Sequence, residues 1–268
     1  MPPLAGGRAA DRPRTLAVER AGAGERIVLV HGFTQTGRSW REIATLLSGR
    51  YEVCCVDLPG HGRSTDVVAG DLFDAGRLLA ETAGEATYVG YSLGGRVALH
   101  AAFARPAAVR RLVLVGAHPG IEREDARAER RRADAQLATR LEATGKDGVG
   151  IDDFLAEWLA APLFAHLDEK AAGLDARREN TTAGLARALR TLDTGTQQFD
   201  GDRLRGLAMP VLVVSGGLDR TFTELGRHLA TVIGENATFT AVPGVGHAVP
   251  FEAPHRFAEL LGDWIEAP

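Results

Sequence analysis

The chain has 268 residues, long enough for one large α/β domain or for a core that carries an insertion. Its 45% hydrophobic and 25% charged composition is that of an ordinary globular protein. A formal net charge of -4 gives no electrostatic case for binding nucleic acid or a membrane surface.

The N-terminal stretch "MPPLAGGRAADRPR" has no apolar h-region, so no signal peptide is expected. Residues 15–19 form a candidate edge strand. Short apolar, β-branched runs then recur at 26–30 ("RIVLV"), 52–56 ("EVCCV"), 86–89 ("ATYV"), 111–115 ("RLVLV"), 211–215 ("VLVVS") and 237–242. They are continuously apolar rather than alternating, as in strands covered on both faces. Helical patterns separate them, which predicts a mostly parallel sheet with right-handed crossovers. Cys54 and Cys55 are neighbours that point to opposite faces of a strand, so they are read as reduced core residues. No segment offers the ~18 consecutive apolar residues of a membrane span. A cytoplasmic location is the expectation, and no sequence feature assigns an oligomeric state.

The strand rhythm stops between about Gly120 and Leu207. The segments "REDARAERRRADAQLATRLEA", "IDDFLAEWLA" and "ARRENTTAGLARALRTL" have helical period, with breaks at "TGKDGVG" and "APLF". They predict three or more helices. The economical arrangement is a core of residues 1–120 and 205–268 with a helical lid at 121–204, set over the carboxyl ends of the strands.

The chemistry centres on "VGYSLGGR" (residues 89–96), where Gly90-Tyr91-Ser92-Leu93-Gly94 fits G-x-S-x-G between a strand and a helix. A side chain at either glycine would crowd the turn that projects the serine oxygen. The plain alternative is a glycine-rich strand–helix turn with no reactive group. A serine hydroxyl needs an imidazole to take its proton. His100, His166, His228 and His255 lie in helical contexts without a matching partner. His247, in "PGVGHAVPFEAP", follows the last strand, where the order Ser…Asp…His puts the base. Asp219, after the strand "VLVVS", is the candidate for orienting that imidazole, against its alternative as a surface-turn aspartate. The backbone N–H groups of Phe33, in "LVHGF", and of Leu93 are the candidate oxyanion donors. The loop "DLPGHGRS" (57–64) is read as structural, with His61 a candidate pocket residue.

These residues resemble the α/β-hydrolase superfamily. More narrowly, "GYSLGGRVAL", "GAHPGIEREDARAERRRAD", "FLAEWLAAPLF" and "RRENTTAGLARAL" resemble the 2-succinyl-6-hydroxy-2,4-cyclohexadiene-1-carboxylate synthase family of menaquinone biosynthesis. That resemblance implies a lyase that eliminates pyruvate from an enolpyruvyl-bearing cyclohexene carboxylate, a small-molecule polycarboxylate. It implies carboxylate-binding roles for Arg96, Arg130 and Arg178, and pocket-lining roles for Tyr91 and Trp158. It implies no metal, nucleotide or flavin cofactor. Only Lys146 and Lys170 of the basic residues are lysines, so a lone lid arginine is by itself a solvated charge. Two other readings stand beside it: a carboxylic-ester or C–C bond hydrolase with the same triad, and a non-catalytic ligand receptor that kept the fold.

Overall fold

The computed structural model describes residues 15–144 and 150–267. The N-terminal stretch considered as a signal peptide, Lys146 and most of the "TGKDGVG" break lie outside the described residues. Along the chain come β1 (Val18–Ala21), β2 (Glu25–Val30), α1 (Arg41–Leu47), β3 (Tyr51–Val56), α2 (Leu72–Ala83), β4 (Ala86–Tyr91), α3 (Leu93–Ala104) and β5 (Val109–Val115). Next are α4 (Glu124–Thr144), α5 (Ile151–Leu159), α6 (Glu169–Ala172), α7 (Leu174–Arg177), α8 (Thr182–Thr191) and α9 (Gly201–Arg205), with no strand between them among the described residues. The chain closes with β6 (Val211–Gly216), α10 (Arg220–Ile233), β7 (Ala237–Val242), α11 (Val249–Glu252) and α12 (Pro254–Glu266).

The seven strands form one sheet in the order β1-β3-β2-β4-β5-β6-β7. Only β1 runs antiparallel; the other pairings are parallel. The edge strand lies later than the predicted 15–19. The N–H groups of Leu16 and Ala17 go instead to Thr82 Oγ1 at 3.1 Å and Ser64 Oγ at 2.9 Å, so these residues are held by side chains.

Period-two alternation divides the strand residues between two cores. Val28, Val30, Cys54, Val56, Leu112, Leu114 and Val213 pack with Leu78 and Leu79 of α2, Val97 of α3 and Leu229 of α10. Ile27, Leu29, Val53, Cys55, Val89, Val113 and Val214 pack with Ile43 of α1 and with Phe257 and Leu261 of α12. The two cysteines are therefore free, buried and on opposite faces. Burial pushes the Cys55 thiol up to about 12. The α4–α8 segment has a small core of its own, Ala138, Leu141, Phe154, Leu155 and Leu185. Its ends meet in a parallel bridge between Ile121 and Gln198. Among the described residues no helix is long and apolar enough to cross a membrane.

Three histidines are locked into this framework. His31 donates from Nδ1 to Gly32 O at 2.8 Å and accepts the Leu58 N–H on Nε2 at 3.0 Å. His61 donates to Pro59 O at 3.0 Å and His100 to Arg96 O at 2.8 Å. Burial holds His31 and His100 down to about 4, and His61 to about 3, from an ordinary 6.5. Below that ordinary value the unfolded chain binds protons that the folded rings refuse. Their contribution is complete above pH 6.5 and is lost as pH falls toward 4, by about 1.4 kcal/mol per unit for each ring at most. Chemical denaturation followed across that range is expected to show a steadily falling midpoint. A midpoint that stays flat would contradict burial of these rings as neutral species.

Candidate active site

Ser92 occupies the corner between β4 and α3 with φ 52° and ψ -113°. A non-glycine residue in this left-handed region stores roughly 1–3 kcal/mol of strain, which its surroundings must hold. They do so by close approach. A Cβ on Gly94 would lie 2.1 Å from Val30 O, and one on Gly90 would lie 2.3 Å from Gly94 O. The Ser92 N–H is tied to Val115 O at 2.8 Å. Both motif glycines are thus required by backbone contact, as the sequence pattern predicts.

Asp219 stands at the entrance to α10, where Oδ1 accepts the Phe222 N–H at 3.1 Å. Its Oδ2 lies 2.8 Å from His247 Nδ1. A carboxylate can only accept, so Nδ1 carries the proton and Nε2 presents a lone pair. That Nε2 is buried and makes no hydrogen bond. His247 lines a cavity of about 180 Å³ whose wall also includes Ser92. Phe222 at 4.5 Å, Tyr91 at 5.4 Å and Phe164 at 6.3 Å, centroid to centroid, wedge the imidazole. Glu252 braces the loop on both sides, accepting the Gly246 N–H at 2.6 Å and the Ala248 N–H at 2.8 Å. The sequence reading missed Glu252, whose only prior signal was its place five residues after the histidine. His166, His228 and His255 are exposed, and His100 is a packing residue.

Phe33 and Leu93 line the same cavity. Val30 of β2 pairs with Gly90 of β4, so residues 31–33 and 91–93 leave the sheet side by side. Leu93 is the first residue of α3, and its N–H has no acceptor within the helix. His61 does not line the cavity. It packs behind Phe33, at 5.7 Å between ring centroids.

Of the three expected arginines the cavity contains two. Arg96 is buried and donates from Nε to Gln197 Oε1 at 2.6 Å, from Nη1 to Leu192 O at 2.9 Å and from Nη2 to Asp193 O at 2.7 Å. Arg130 is held by Asp134, Nε lying 2.9 and 3.0 Å from the two carboxylate oxygens. Arg178 is a correction: it is half-exposed, pairs with Asp152 at 2.8 Å and Asp175 at 3.3 Å, and faces an outer cleft. The cavity arginine is its neighbour Arg177, buried, donating from Nε to Ala172 O at 2.7 Å and from Nη1 to Thr34 Oγ1. Adjacent helical side chains diverge by about 100°, so one of such a pair faces in and the other out. Among the described residues Arg177 has no carboxylate partner within ion-pair distance. Burial lowers Arg96 and Arg177 to about 10.

Tyr91 and Trp158 line the cavity as expected, and Trp158 Nε1 is buried without a partner. His118 also lines it and was not foreseen. Its Nδ1 accepts the Gly120 N–H at 3.0 Å, which leaves the proton on Nε2, and burial holds it down to about 4. The wall is mostly apolar, with Arg96, Arg130 and Arg177 set against Asp134 and Asp193. Among the described residues no cluster of His, Cys, Asp and Glu is arranged to hold a metal.

Comparison with known proteins places the chain in a family. The profile described as "Alpha/beta hydrolase family" matches residues 27–260. The 2-succinyl-6-hydroxy-2,4-cyclohexadiene-1-carboxylate synthase of Salmonella agona is 32% identical over 242 residues, covering 88% of this chain and 91% of that protein. The enzyme of the same name from Serratia proteamaculans is 30% identical, with 90% and 93% covered. Among solved structures, MenH from S. aureus superposes with a TM-score of 0.83 at 26% identity over 93% of this chain and 97% of that one. A malate-bound esterase from Thermogutta terrifontis, 24% identical with a TM-score of 0.77, shares the fold over 93% of this chain and 92% of its own. The chain belongs to the α/β hydrolase family and, within it, to the 2-succinyl-6-hydroxy-2,4-cyclohexadiene-1-carboxylate synthases.

Proposed function

We propose that this protein is a lyase of menaquinone biosynthesis. It eliminates pyruvate from 2-succinyl-5-enolpyruvyl-6-hydroxy-3-cyclohexene-1-carboxylate to give 2-succinyl-6-hydroxy-2,4-cyclohexadiene-1-carboxylate. One observation carries the reading. A single cavity is lined by Ser92, by His247 with its Nε2 buried and unpaired, and by Arg177, a buried guanidinium with no carboxylate partner among the described residues. A desolvated charge of that kind is costly until an anion meets it. A polycarboxylate supplies the anion, and planar carboxylates suit arginine forks.

In this reading His247 Nε2 takes the Ser92 proton, and the serine oxygen removes the ring proton next to the succinyl carbonyl. The N–H groups of Phe33 and Leu93 hold the enolate oxygen. The electron pair then returns through the ring, the carbon–oxygen bond to the enolpyruvyl group breaks, and the departing enol takes a proton to become pyruvate. Asp219 keeps the imidazole in the needed tautomer and stabilises its charged form. Arg96, Arg130 and Arg177 position the carboxylates, and Tyr91 and Trp158 shape the wall. Residues 121–204 act as a lid over the strand ends, and the protein works in the cytoplasm, where its two thiols stay reduced.

Purified protein mixed with the enolpyruvyl substrate is expected to release pyruvate together with the absorbance of the conjugated diene. Ser92→Ala and Asp219→Asn should each lower turnover by roughly 10³-fold or more. Fast hydrolysis of simple aryl esters without pyruvate release would overturn the reading in favour of a hydrolase. Tight binding without turnover would indicate a receptor. The arginine assignment is tested by neighbouring variants. Arg177→Ala should lower kcat/KM about 10- to 100-fold, the effect of losing a charged hydrogen bond, whereas Arg178→Ala stays within about threefold. Equal losses would refute the assignment of the inner residue.

A further inference from the structure

Resting on that elimination reading, we infer that Asn180 is a positioning residue: it clamps the turn that carries the Phe33 oxyanion donor to the lid segment that carries Arg177. The turn spans Gly32 to Gln35. Gln35 N–H donates to Gly32 O at 3.2 Å, and Gly32 N–H donates to Gln35 Oε1 at 2.9 Å. Its third residue, Thr34, is fully buried with φ 68°. Positive φ at the third position is the habit of type II turns, which place glycine or asparagine there. A β-branched residue resists it, so this turn needs support from outside itself.

Asn180 provides that support. Its Nδ2 donates to Thr34 O at 2.7 Å and to Arg177 O at 3.0 Å, with Gln35 O at 3.4 Å. Its Oδ1 accepts the Gly62 N–H at 2.9 Å. The buried amide therefore joins three segments that are distant in sequence: the oxyanion turn, the loop after β3, and the lid. The same threonine receives a second lid contact, from Arg177 Nη1 to its hydroxyl. The arginine that meets a substrate carboxylate and the turn that holds the enolate thus share Thr34. Nearby contacts keep the lid close at this point. Thr65 Oγ1 and Thr181 Oγ1 are 3.0 Å apart, and Arg187 Nη1 donates to Thr65 O at 2.9 Å.

The test compares wild type, Asn180→Ala, and Asn180→Ala combined with Thr34→Gly. Asn180→Ala should lower kcat for pyruvate release about 10- to 100-fold while KM moves less than about threefold, as for a displaced oxyanion donor. Adding Thr34→Gly should recover kcat at least about threefold, because glycine takes positive φ unaided. Amide hydrogen exchange over residues 31–37 should be faster in Asn180→Ala than in wild type. Asn180→Ser, with the same expectations at smaller size, replaces the alanine variant if that one fails to fold. An unchanged kcat, a loss confined to KM, or unchanged exchange would each overturn the inference. If wild type releases no pyruvate, the elimination reading falls, and the exchange comparison alone decides whether Asn180 supports the turn.

Discussion

The carboxylate of Asp219 is the contact on which the geometry of this site depends, because its two oxygens serve two structures at once. One accepts the Phe222 N–H and fixes the start of α10; the other holds His247 Nδ1. The same side chain that caps the helix thus also reaches the imidazole. The consequence is geometric. The beginning of α10, the loop after β7 and the tautomer of the base are determined together. Glu252 fixes the remaining freedom by accepting the amides on either side of His247.

The charge arrangement around this pair has a direction. Arg130 is paired with one carboxylate, whereas Arg96, with three neutral acceptors, and Arg177, with two, have only neutral hydrogen-bond partners among the described residues. The neighbouring His118 is held neutral by burial and by the Arg96 and Arg130 charges, and its proton stays on Nε2. A neutral ester would leave this set of donors unmatched. A guest with several carboxylates satisfies it, and that distinction separates the proposed elimination from hydrolysis on the same fold.

Much of this was legible in the sequence because the signals are local. Strand runs such as "RLVLV" are apolar on both faces because helices cover both faces, and Ser92 is marked by glycines whose necessity is a backbone contact. Asp219 and His247 were found because each follows a strand, and parallel strand ends converge on one edge of the sheet. What escaped depends on side-chain direction or on distant partners. Arg177 and Arg178 are indistinguishable as letters, and a rotation of about 100° along a short helix decides which one is inside. Asn180 meets Thr34 across 146 residues, a contact without any local pattern. The edge strand was misplaced for a similar reason, since Ser64 and Thr82 take the amides that would have extended it.

Among the described residues, two that are not glycine have positive φ: Thr34 and Ser92. They flank the two proposed donors, Thr34 following Phe33 and Ser92 preceding Leu93. Each lies just beyond the end of one of two adjacent parallel strands, β2 and β4. Both corners bend the chain sharply next to a residue that lines the cavity. Their support differs in kind. The Ser92 corner is held by the core, through glycine contacts with β2 and an amide bond to β5. The Thr34 corner is held in part by the segment from α7 to α8, through Asn180 and Arg177. One corner is thus built into the sheet, and the other depends on a segment that also places Arg177 in the cavity wall.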